Sequence, residues 1–394
     1  MRITAIFESK LRAGGAHNQS LSALYQMNLI CKNRFEFKVL AFDNETVENL
    51  NLRGFNCALI TFSFFEKVMQ KLMLTILDFN LFSTIYIYPI EKKLLDEKTS
   101  LVYFIGPSLY SLHLKKLNYI FTLFDLAHRD NPEFDEVRIF NEFENREKLY
   151  KRVLSKSYLT LTDSEDLSSK ASFFYGIDKS RFLSMPYSPS PDLNYNSISI
   201  FEVSEIYHLP KQYFYYPAQF WAHKNHYRIF EALFYLKKRN VNFHLVLSGG
   251  NKGNLEYLLS IISQFELNDS VHILGLVPSN HMKALYQGSI AVVMPTYFGP
   301  TNLPPLEAWT LGVPLIYSKH LVNQTEKAAL TIDPDDSVSI ANAMQKVCDI
   351  DLRNKLINEG FLKINEINKK RNEAVHILTN KLMNYAIRIK CWKN

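Results

Sequence analysis

Two series of short apolar runs, each interleaved with longer segments of helical period, constrain the fold of this 394-residue chain. Continuous apolar runs flanked by helices are typical of parallel strands that are covered on both faces. The sequence therefore predicts an α/β protein with two doubly wound, Rossmann-like units. The first series comprises residues 2–7, 57–62, 101–105, 119–124 and 157–162, and the second comprises residues 213–217, 243–248, 271–275, 290–295 and 313–317.

A stretch rich in proline and serine, residues 186–200, separates the two series and predicts a linker. The chain is too long for one core and fits about two domains of ordinary size. We therefore expect an N-terminal domain over residues 1–190 and a C-terminal domain over residues 191–375. The tail has a helical pattern, and we expect residues 376–394 to pack back on the first domain.

The composition favours a globular protein of a reducing compartment. Nearly half of the residues are apolar, which excludes disorder as the main state. The cysteines have neither metal-ligand nor redox spacing, and this favours the cytoplasm. A net charge of +6 fits an anionic partner, either nucleotide phosphates or lipid headgroups, and we expect no nucleic-acid partner. The four cysteines are Cys31, Cys57, Cys348 and Cys391.

Two segments raise the question of membrane contact. Residues 72–90 are long and apolar, but Asp78, Asn80 and Pro89 interrupt them. An Asp near the centre of a spanning helix costs about 2.5–3.5 kcal/mol, so we expect a helix end followed by a buried strand. Residues 112–121 combine lysines with aromatic residues, and for them contact with anionic lipid is the alternative to a helix that runs into a strand.

Polar or glycine-containing turns follow several of the predicted strands. In open parallel sheets, ligands bind beyond the carboxyl ends of the strands, so two such units predict a site in the cleft between them. Paired glycines let backbone N–H groups approach an anion, although a tight structural turn is the alternative. The candidates in these turns are Gly14 and Gly15, then Asp125, His128 and Arg129, then Gly249 and Gly250, and finally Val277 in the turn 275–278.

The loop at residues 217–226 clusters aromatic and basic side chains directly after a predicted strand. Its Gln219, Trp221 and Lys224 precede a helical segment. A lysine is a point charge on a flexible stem, which suits a diphosphate in a cleft. We therefore expect this loop to bind phosphate.

The stretch 297–314 (YFGPTNLPPLEAWTLGVP) joins a rigid turn to a helix. Two prolines pre-set the first helical turn, where a missing N–H costs nothing. The amides at Thr301, Asn302 and Leu303 are then expected at the positive helix end, where they suit an anion. We expect Glu307 in the first helical turn, with ribose hydroxyls as the target of its carboxylate.

These stretches resemble a known family. Residues 271–318 resemble the donor-site half of glycosyltransferase family 4, whose members have the GT-B fold of two Rossmann-like domains. YPAQFWAHKNH resembles that family's donor-phosphate loop, and LFDLAHRDNPEF resembles its strand-end motif with a histidine. The order of the motifs and the position of the linker agree over nearly the whole chain.

The resemblance implies a retaining transfer of a hexose, with mannose favoured, from GDP-mannose or a UDP-hexose to a glycan or lipid-linked acceptor. Such a reaction serves lipopolysaccharide, O-antigen or capsule synthesis at the inner face of the cytoplasmic membrane, and it needs neither a metal nor a cofactor. Lys224 would neutralise the donor diphosphate and Glu307 would bind the ribose. The implied catalytic residues are Lys224, Glu307, His128 and Asp125, and the implied donor-binding residues are Gly14, Gly15, Arg129, Gln219, Trp221, Gly249, Gly250, Val277, Gly299, Pro300, Thr301, Asn302 and Leu303.

Two positions depart from the family pattern. Many members carry a carboxylate eight residues before the ribose glutamate, where this chain has Gly299, so Asn302 or the backbone must substitute. Phe124 precedes Asp125 and leaves His128 as the nearby imidazole. These departures keep two alternatives open, a non-catalytic nucleotide-sugar-binding subunit and a sugar-nucleotide epimerase on the same two-domain fold.

Overall fold

The computed structural model of the chain describes residues 1–10, 15–69, 87–194, 197–299 and 301–391. The chain divides into two compact units. The first comprises Met1–Leu126, Glu144–Pro186 and Arg371–Asn394, and the second comprises Ala127–Phe143 and Tyr187–Lys370.

The first unit is built on a seven-stranded parallel sheet with the order β3-β2-β1-β4-β5-β6-β7. Its strands are β1 (Arg2–Phe7), β2 (Glu36–Ala41), β3 (Cys57–Leu59), β4 (Leu101–Phe104), β5 (Tyr119–Thr122), β6 (Leu159–Thr162) and β7 (Phe182–Ser184). Its helices include α1 (Gly15–Cys31), α2 (Asn44–Leu52), α3 (Pro89–Asp96), α5 (Glu142–Lys156) and α6 (Glu165–Tyr175), while the short α4 (Ala127–Asp130) belongs to the second unit.

Both faces of this sheet are covered, which explains why a central strand such as β4 is apolar throughout. Along β4, Leu101 and Tyr103 lie in one buried cluster while Val102 and Phe104 lie in the cluster on the other face. Successive side chains of a strand point to opposite faces, so a strand covered on both sides needs an unbroken apolar run.

The second unit is built on a six-stranded parallel sheet with the order β10-β9-β8-β11-β12-β13. Its strands are β8 (Phe214–Pro217), β9 (Leu245–Ser248), β10 (Val271–Ile273), β11 (Val292–Met294), β12 (Leu315–Ser318) and β13 (Leu330–Ile332). Its helices include α7 (Ile200–Tyr207), α8 (His226–Lys237), α9 (Leu255–Gln264), α10 (Ser279–Gln287), α11 (Leu303–Thr310), α12 (Val322–Thr325), α13 (Ser337–Lys346) and the start of α14 (Ile350–Arg388).

The predicted fold class is confirmed, because two parallel sheets of Rossmann-like order carry the two apolar series. Each predicted strand overlaps an observed one. The pattern missed β2, where Glu36 and Lys38 interrupt the apolar run, and the two short strands β7 and β13.

The segments weighed for membrane contact behave differently. Residues 70–86, most of the apolar segment 72–90, lie outside the described residues, and the helix α3 rather than a strand begins at Pro89. In residues 112–121 the apolar side chains are core residues, with Leu117 and Phe121 buried, so they do not face lipid. Among the residues that the structure describes, no helix has the length and apolar character needed to cross a membrane.

The long helix α14 contributes to both units, and from Arg371 onward it belongs to the first. Leu378 and Leu382 are buried in that unit's core, and the Tyr385 hydroxyl donates to the carbonyl of Ser100 (3.0 Å). The last turns of α14 therefore complete the core of the first unit.

We predict that Leu382→Ala lowers the free energy of unfolding of the first unit by about 3 kcal/mol, because it opens a cavity in a packed core. Met383→Ala is the matched control, since 49% of this neighbouring side chain is exposed. Its expected cost is below about 0.5 kcal/mol, as for most surface substitutions. Urea denaturation of both variants measures the difference, and equal losses would contradict the packing of α14.

Candidate functional site

The order of the second sheet reverses between its neighbouring strands β8 and β11. Loops that follow the two strands at such a switch point form the usual ligand site of an open parallel sheet. The loop after β8 carries Lys224, and the loop after β11 carries Gly299 and Asn302. These two loops are therefore the foundation of the candidate site.

Backbone hydrogen bonds hold the loops after β8, β9 and β10 together. The N–H of Phe220 donates to the carbonyl of Gly250 (3.0 Å), and the N–H of Gly249 donates to the carbonyl of Gly275 (2.8 Å). A Cβ atom at position 249 would lie 2.2 Å from the carbonyl oxygen of Ala218. Gly249 is thus required by the close approach of two backbones.

Asn225 ties the loop after β8 to the loops after β11 and β13. It is buried in a left-handed conformation (φ 58°), and its side-chain amide donates to the carbonyls of Pro295 (3.0 Å) and Pro334 (2.8 Å). Asparagine is one of the few residues that tolerates this backbone conformation. The start of α8 and the position of the preceding lysine are fixed as a result.

Lys224 is the cation of the site. Its Nζ donates to Oδ1 of Asn302 (3.0 Å), and its carbonyl accepts from the hydroxyl of Tyr216 (2.9 Å). Burial lowers the pKa of Lys224 to about 8, although the carboxylate of Glu136 acts in the opposite direction. The ammonium is therefore mostly protonated at neutral pH and poorly hydrated, a state in which an anionic ligand gains most.

The side chain of Asn302 fills the space next to Gly299. A Cβ atom at position 299 would lie 2.4–2.7 Å from the side-chain amide of Asn302, and Gly299 has a φ of +140°. The Nδ2 of Asn302 donates to the hydroxyl of Tyr317 (2.7 Å), so Lys224 and Tyr317 hold this amide between them. A neutral amide thus takes up the room that a side chain at position 299 would need.

The helix α11 starts at Leu303, with prolines in its first positions as the sequence predicted. Asn302 is the N-cap residue, but its side chain makes no capping hydrogen bond because it is engaged by Lys224 and Tyr317. The expectation that Glu307 lies in the first turn is wrong, because it is the fifth residue of a helix that begins one residue before the double proline.

Glu307 is buried inside the second unit. The hydroxyl of Tyr286 donates to its Oε2 (2.5 Å), and the backbone of Ser190 in the linker also hydrogen-bonds to the carboxylate. Burial raises the pKa of Glu307, while these hydrogen bonds oppose that shift. A carboxylate has about four acceptor sites, so Glu307 retains the capacity to accept from a ligand hydroxyl.

The residues of the strand-end motif divide between the two units. In the first unit, Asp125 pairs with Arg146 of α5 (2.7 Å). In the second unit, His128 and Arg129 lie on α4, and the fully buried His128 packs its ring edge-on against Phe143 (centroids 5.4 Å apart).

The other predicted donor residues lie on the loops already named or at the ends of strands. Trp221 donates from its indole N–H to Gln219 (3.1 Å), a Cβ atom at Gly250 would meet Leu276 at 3.5 Å, and Val277 packs on the core. Thr301 is half-buried and Leu303 is buried, whereas Gly15 opens α1 in the first unit. Gly14 and Pro300 lie outside the described residues.

Sequence reasoning missed several residues that build the site. Asn225 and His223 flank Lys224, and their place in the AHKNH run was the available signal. Glu136 accepts from the backbone N–H of His223 (3.1 Å) and from its ring Nδ1, although the two residues are 87 positions apart. Tyr286 and Tyr317 carried no signal, because a strand or helix tyrosine is indistinguishable from a core residue.

We predict that Gly299→Ala lowers the free energy of unfolding by about 3 kcal/mol, because a side chain is strained at this φ and meets Asn302. Gly253→Ala is the control, since Gly253 also has a positive φ (+99°) but no neighbouring atom within 4 Å. Its expected cost is about 1 kcal/mol, from the backbone alone. Thermal or urea unfolding compares the two, and a Gly299 variant no worse than the control contradicts the assigned packing.

Several known proteins are similar to this chain. Residues 200–362 match the family model of Glycosyl transferases group 1. The O-antigen chain mannosyltransferase RfbU of Salmonella typhimurium is 28% identical over 132 residues, which cover 32% of this chain and 36% of that protein. The O-antigen chain mannosyltransferase B of Escherichia coli is 29% identical over 112 residues, 28% of this chain and 29% of that protein. The matched segments thus span about a third of each curated relative.

Among solved structures, HepE of Anabaena in complex with UDP and glucose is similar, with a TM-score of 0.71. The two share 14% sequence identity, and the match covers 96% of this chain and 100% of the other. Such a match establishes the fold. The chain therefore has the GT-B fold, and the match of its residues 200–362 to the glycosyl transferases group 1 model confirms the glycosyltransferase resemblance of its motifs.

Proposed function

We propose that the protein transfers a hexose from a nucleotide sugar to a glycan or lipid-linked acceptor in the synthesis of a surface polysaccharide such as O-antigen. The observation that carries this proposal is the half-buried Lys224, whose ammonium donates to Asn302 at the N-terminus of α11. GDP-mannose is the favoured donor, with a UDP-hexose as the alternative. The two curated relatives, both O-antigen chain mannosyltransferases, support this choice of sugar and product.

Lys224 and the start of α11 would stabilise the leaving group. When a donor binds, phosphate oxygens take the place of the Asn302 amide as the acceptor for Lys224. The backbone N–H groups of Asn302 and Leu303 at the start of α11 add donors to the same charge, since the prolines that follow have none. Fixed donors in a poorly hydrated site stabilise developing negative charge without reorganisation. We propose that this charge stabilisation lets the reaction proceed without a metal ion or cofactor.

The proposed transfer retains the configuration at the anomeric carbon. The bond from this carbon to the β-phosphate oxygen breaks, and its electron pair leaves with the nucleoside diphosphate. The acceptor hydroxyl oxygen bonds to the same face of the anomeric carbon, while its proton passes to the departing phosphate.

On the sugar side, Asp125, His128 and Arg129 remain the candidate residues. The reaction would take place at the inner face of the cytoplasmic membrane.

Glu307 would bind the ribose of the donor. The hydroxyl of Tyr286 fixes the orientation of the carboxylate and satisfies one of its oxygens. The remaining lone pairs suit a pair of neighbouring ribose hydroxyls. Glu307 would thus hold the nucleoside while Lys224 holds the diphosphate.

A second candidate function is a nucleotide-sugar-binding subunit without transferase activity. The observation that favours it is Asn302, which fills the space beside Gly299 where many family members carry an acid. Incubation with GDP-mannose and UDP-hexoses in the presence of membrane-derived acceptors separates the two functions. Release of nucleoside diphosphate supports the transferase, whereas tight donor binding without release under any acceptor favours the binding subunit.

Lys224→Ala is expected to weaken the binding of GDP and UDP about tenfold or more and to lower turnover about a hundredfold, because charge-assisted phosphate contacts are lost. Isothermal titration and a nucleoside diphosphate release assay measure the two effects. Lys238→Ala is the control, since Lys238 is exposed and lies over the ring of Phe234 at the C-terminal end of α8. Unchanged nucleotide affinity in the Lys224 variant contradicts the assigned phosphate role.

Glu307→Gln is expected to leave the ligand-free protein at least as stable as the wild type while weakening GDP and UDP binding about tenfold. Because burial raises the pKa of Glu307, the wild type loses stability as the pH rises above the usual carboxyl value of 4.5. Glutamine removes this buried charge and the associated pH dependence but still accepts from Tyr286. Thermal unfolding between acid and neutral pH tests this, and a large loss of ligand-free stability would contradict it.

A further inference from the structure

Glu136 contacts the phosphate loop from a segment outside the two sheets. It lies on a 3₁₀ turn, Asp135–Val137, in the stretch 127–143 that belongs to the second unit. Only 10% of its side chain is exposed. One carboxylate oxygen, Oε1, accepts from both the backbone N–H (3.1 Å) and the ring Nδ1 of His223. Glu136 therefore fastens the residue that immediately precedes Lys224.

Aromatic packing reinforces this attachment. The ring of His223 stacks on Phe298 with centroids 3.9 Å apart and planes 15° apart. Phe134, two residues before Glu136, packs against Tyr297 and Phe298 at centroid distances of 5.4 Å. The segment with Phe134 and Glu136 thus contacts both the loop after β8 and the loop after β11.

Glu136 also acts electrostatically on Lys224. Burial tends to raise the pKa of Glu136, but its hydrogen bonds with His223 outweigh this and hold the pKa below its usual value, so the group is ionised at neutral pH. Its charge raises the pKa of Lys224 against the effect of burial. Asn302, the hydrogen-bond partner of the ammonium, is neutral.

Within the described part of the chain, the other titratable groups around Lys224 include His223, His226 and Tyr216. Burial raises the pKa of Tyr216, so its hydroxyl, which donates to the Lys224 carbonyl, is neutral. The pKa of His226 is lowered to about 3 by burial and by the neighbouring Lys224 and His223, so this imidazole is neutral. Glu136 is thus the acidic group that acts on Lys224 among these residues.

We propose that Glu136 is the positioning residue of the phosphate loop: it fixes His223 through two hydrogen bonds and supplies the negative charge that keeps Lys224 an ammonium in the buried site. This inference rests on the proposed function, because it assigns Glu136 a role in donor binding. Glu136 acts through Lys224 and touches no reacting atom. The Glu136 carboxylate repels the diphosphate, but it also keeps Lys224 charged over a wider range of pH.

The two parts of this role have different pH signatures. A loosened loop weakens nucleotide binding equally at every pH. Loss of the carboxylate charge instead lowers the pKa of Lys224, which is about 8 with Glu136 present, so that deprotonation begins at lower pH. The ratio of variant to wild-type affinity therefore falls severalfold between pH 6.5 and pH 8.5, the range in which the Lys224 ammonium loses its proton.

The experiment is a titration of the full chain with GDP and UDP by calorimetry at pH 6.5, 7.5 and 8.5. Wild type is compared with Glu136→Gln, which keeps the shape and accepts from His223 without the charge, and with Glu133→Gln, an exposed residue of the same segment. We expect a severalfold fall in the affinity ratio from pH 6.5 to pH 8.5 for Glu136→Gln and a constant ratio near one for Glu133→Gln. A ratio for Glu136→Gln that does not change with pH overturns the proposal.

Two further outcomes are informative. If the wild type binds neither GDP nor UDP, the proposed function itself is contradicted, and the role of Glu136 fails with it. If Glu136→Gln does not fold, Glu136→Asp replaces it, because it keeps the charge but withdraws the oxygen from His223. The nucleotide affinity of this variant is expected to be lower than that of the wild type by the same factor at all three pH values. An affinity that falls more steeply with rising pH than that of the wild type overturns the proposal.

Discussion

The hydrogen bond from Lys224 to Asn302 joins the two halves of the candidate site. It connects the loop after β8 to the N-terminus of α11, and these loops follow the strands between which the sheet order reverses. A hydrogen bond to a charged group contributes about 1.5–3 kcal/mol and loses more than that when its partner is removed. In the ligand-free site, Asn302 Oδ1 is the hydrogen-bond acceptor for the Lys224 ammonium, which has little access to water.

That bond requires a glycine at position 299. Any side chain there would meet the Asn302 amide, so the acid expected from the family pattern and the observed lysine contact are mutually exclusive in this arrangement. Asn225 and Glu136 form a second layer around the same loop, one through the carbonyls of Pro295 and Pro334 and the other through His223. The loop is therefore organised before any ligand arrives, which lowers the entropic cost of binding.

Much of the fold could be predicted from the sequence, because strands covered on both faces are unbroken apolar runs. One strand inside the first sheet was harder to predict, since β2 mixes Glu36 and Lys38 with apolar residues. The loops with Lys224 and Asn302 could be located because they follow apolar strands. Their connection could not be predicted, since the partners are 78 residues apart and the choice of Asn302 depends on packing around Gly299.

The role of Glu307 shows the limit of reasoning from local pattern. Its place in α11 was misjudged because the helix starts at Leu303, and its partner Tyr286 comes from a different helix. The contact between Glu136 and His223 also spans elements that no local pattern relates, so side chains meet there through tertiary packing alone.

The most direct test of the central claim is a crystal structure of the protein with GDP or UDP bound. The account predicts that the β-phosphate lies within hydrogen-bond distance, about 3 Å, of Lys224 Nζ and of the amides at the start of α11, and that the bond from Lys224 to Asn302 is broken or shared. A nucleoside diphosphate bound elsewhere, with Lys224 still held only by Asn302, would contradict it.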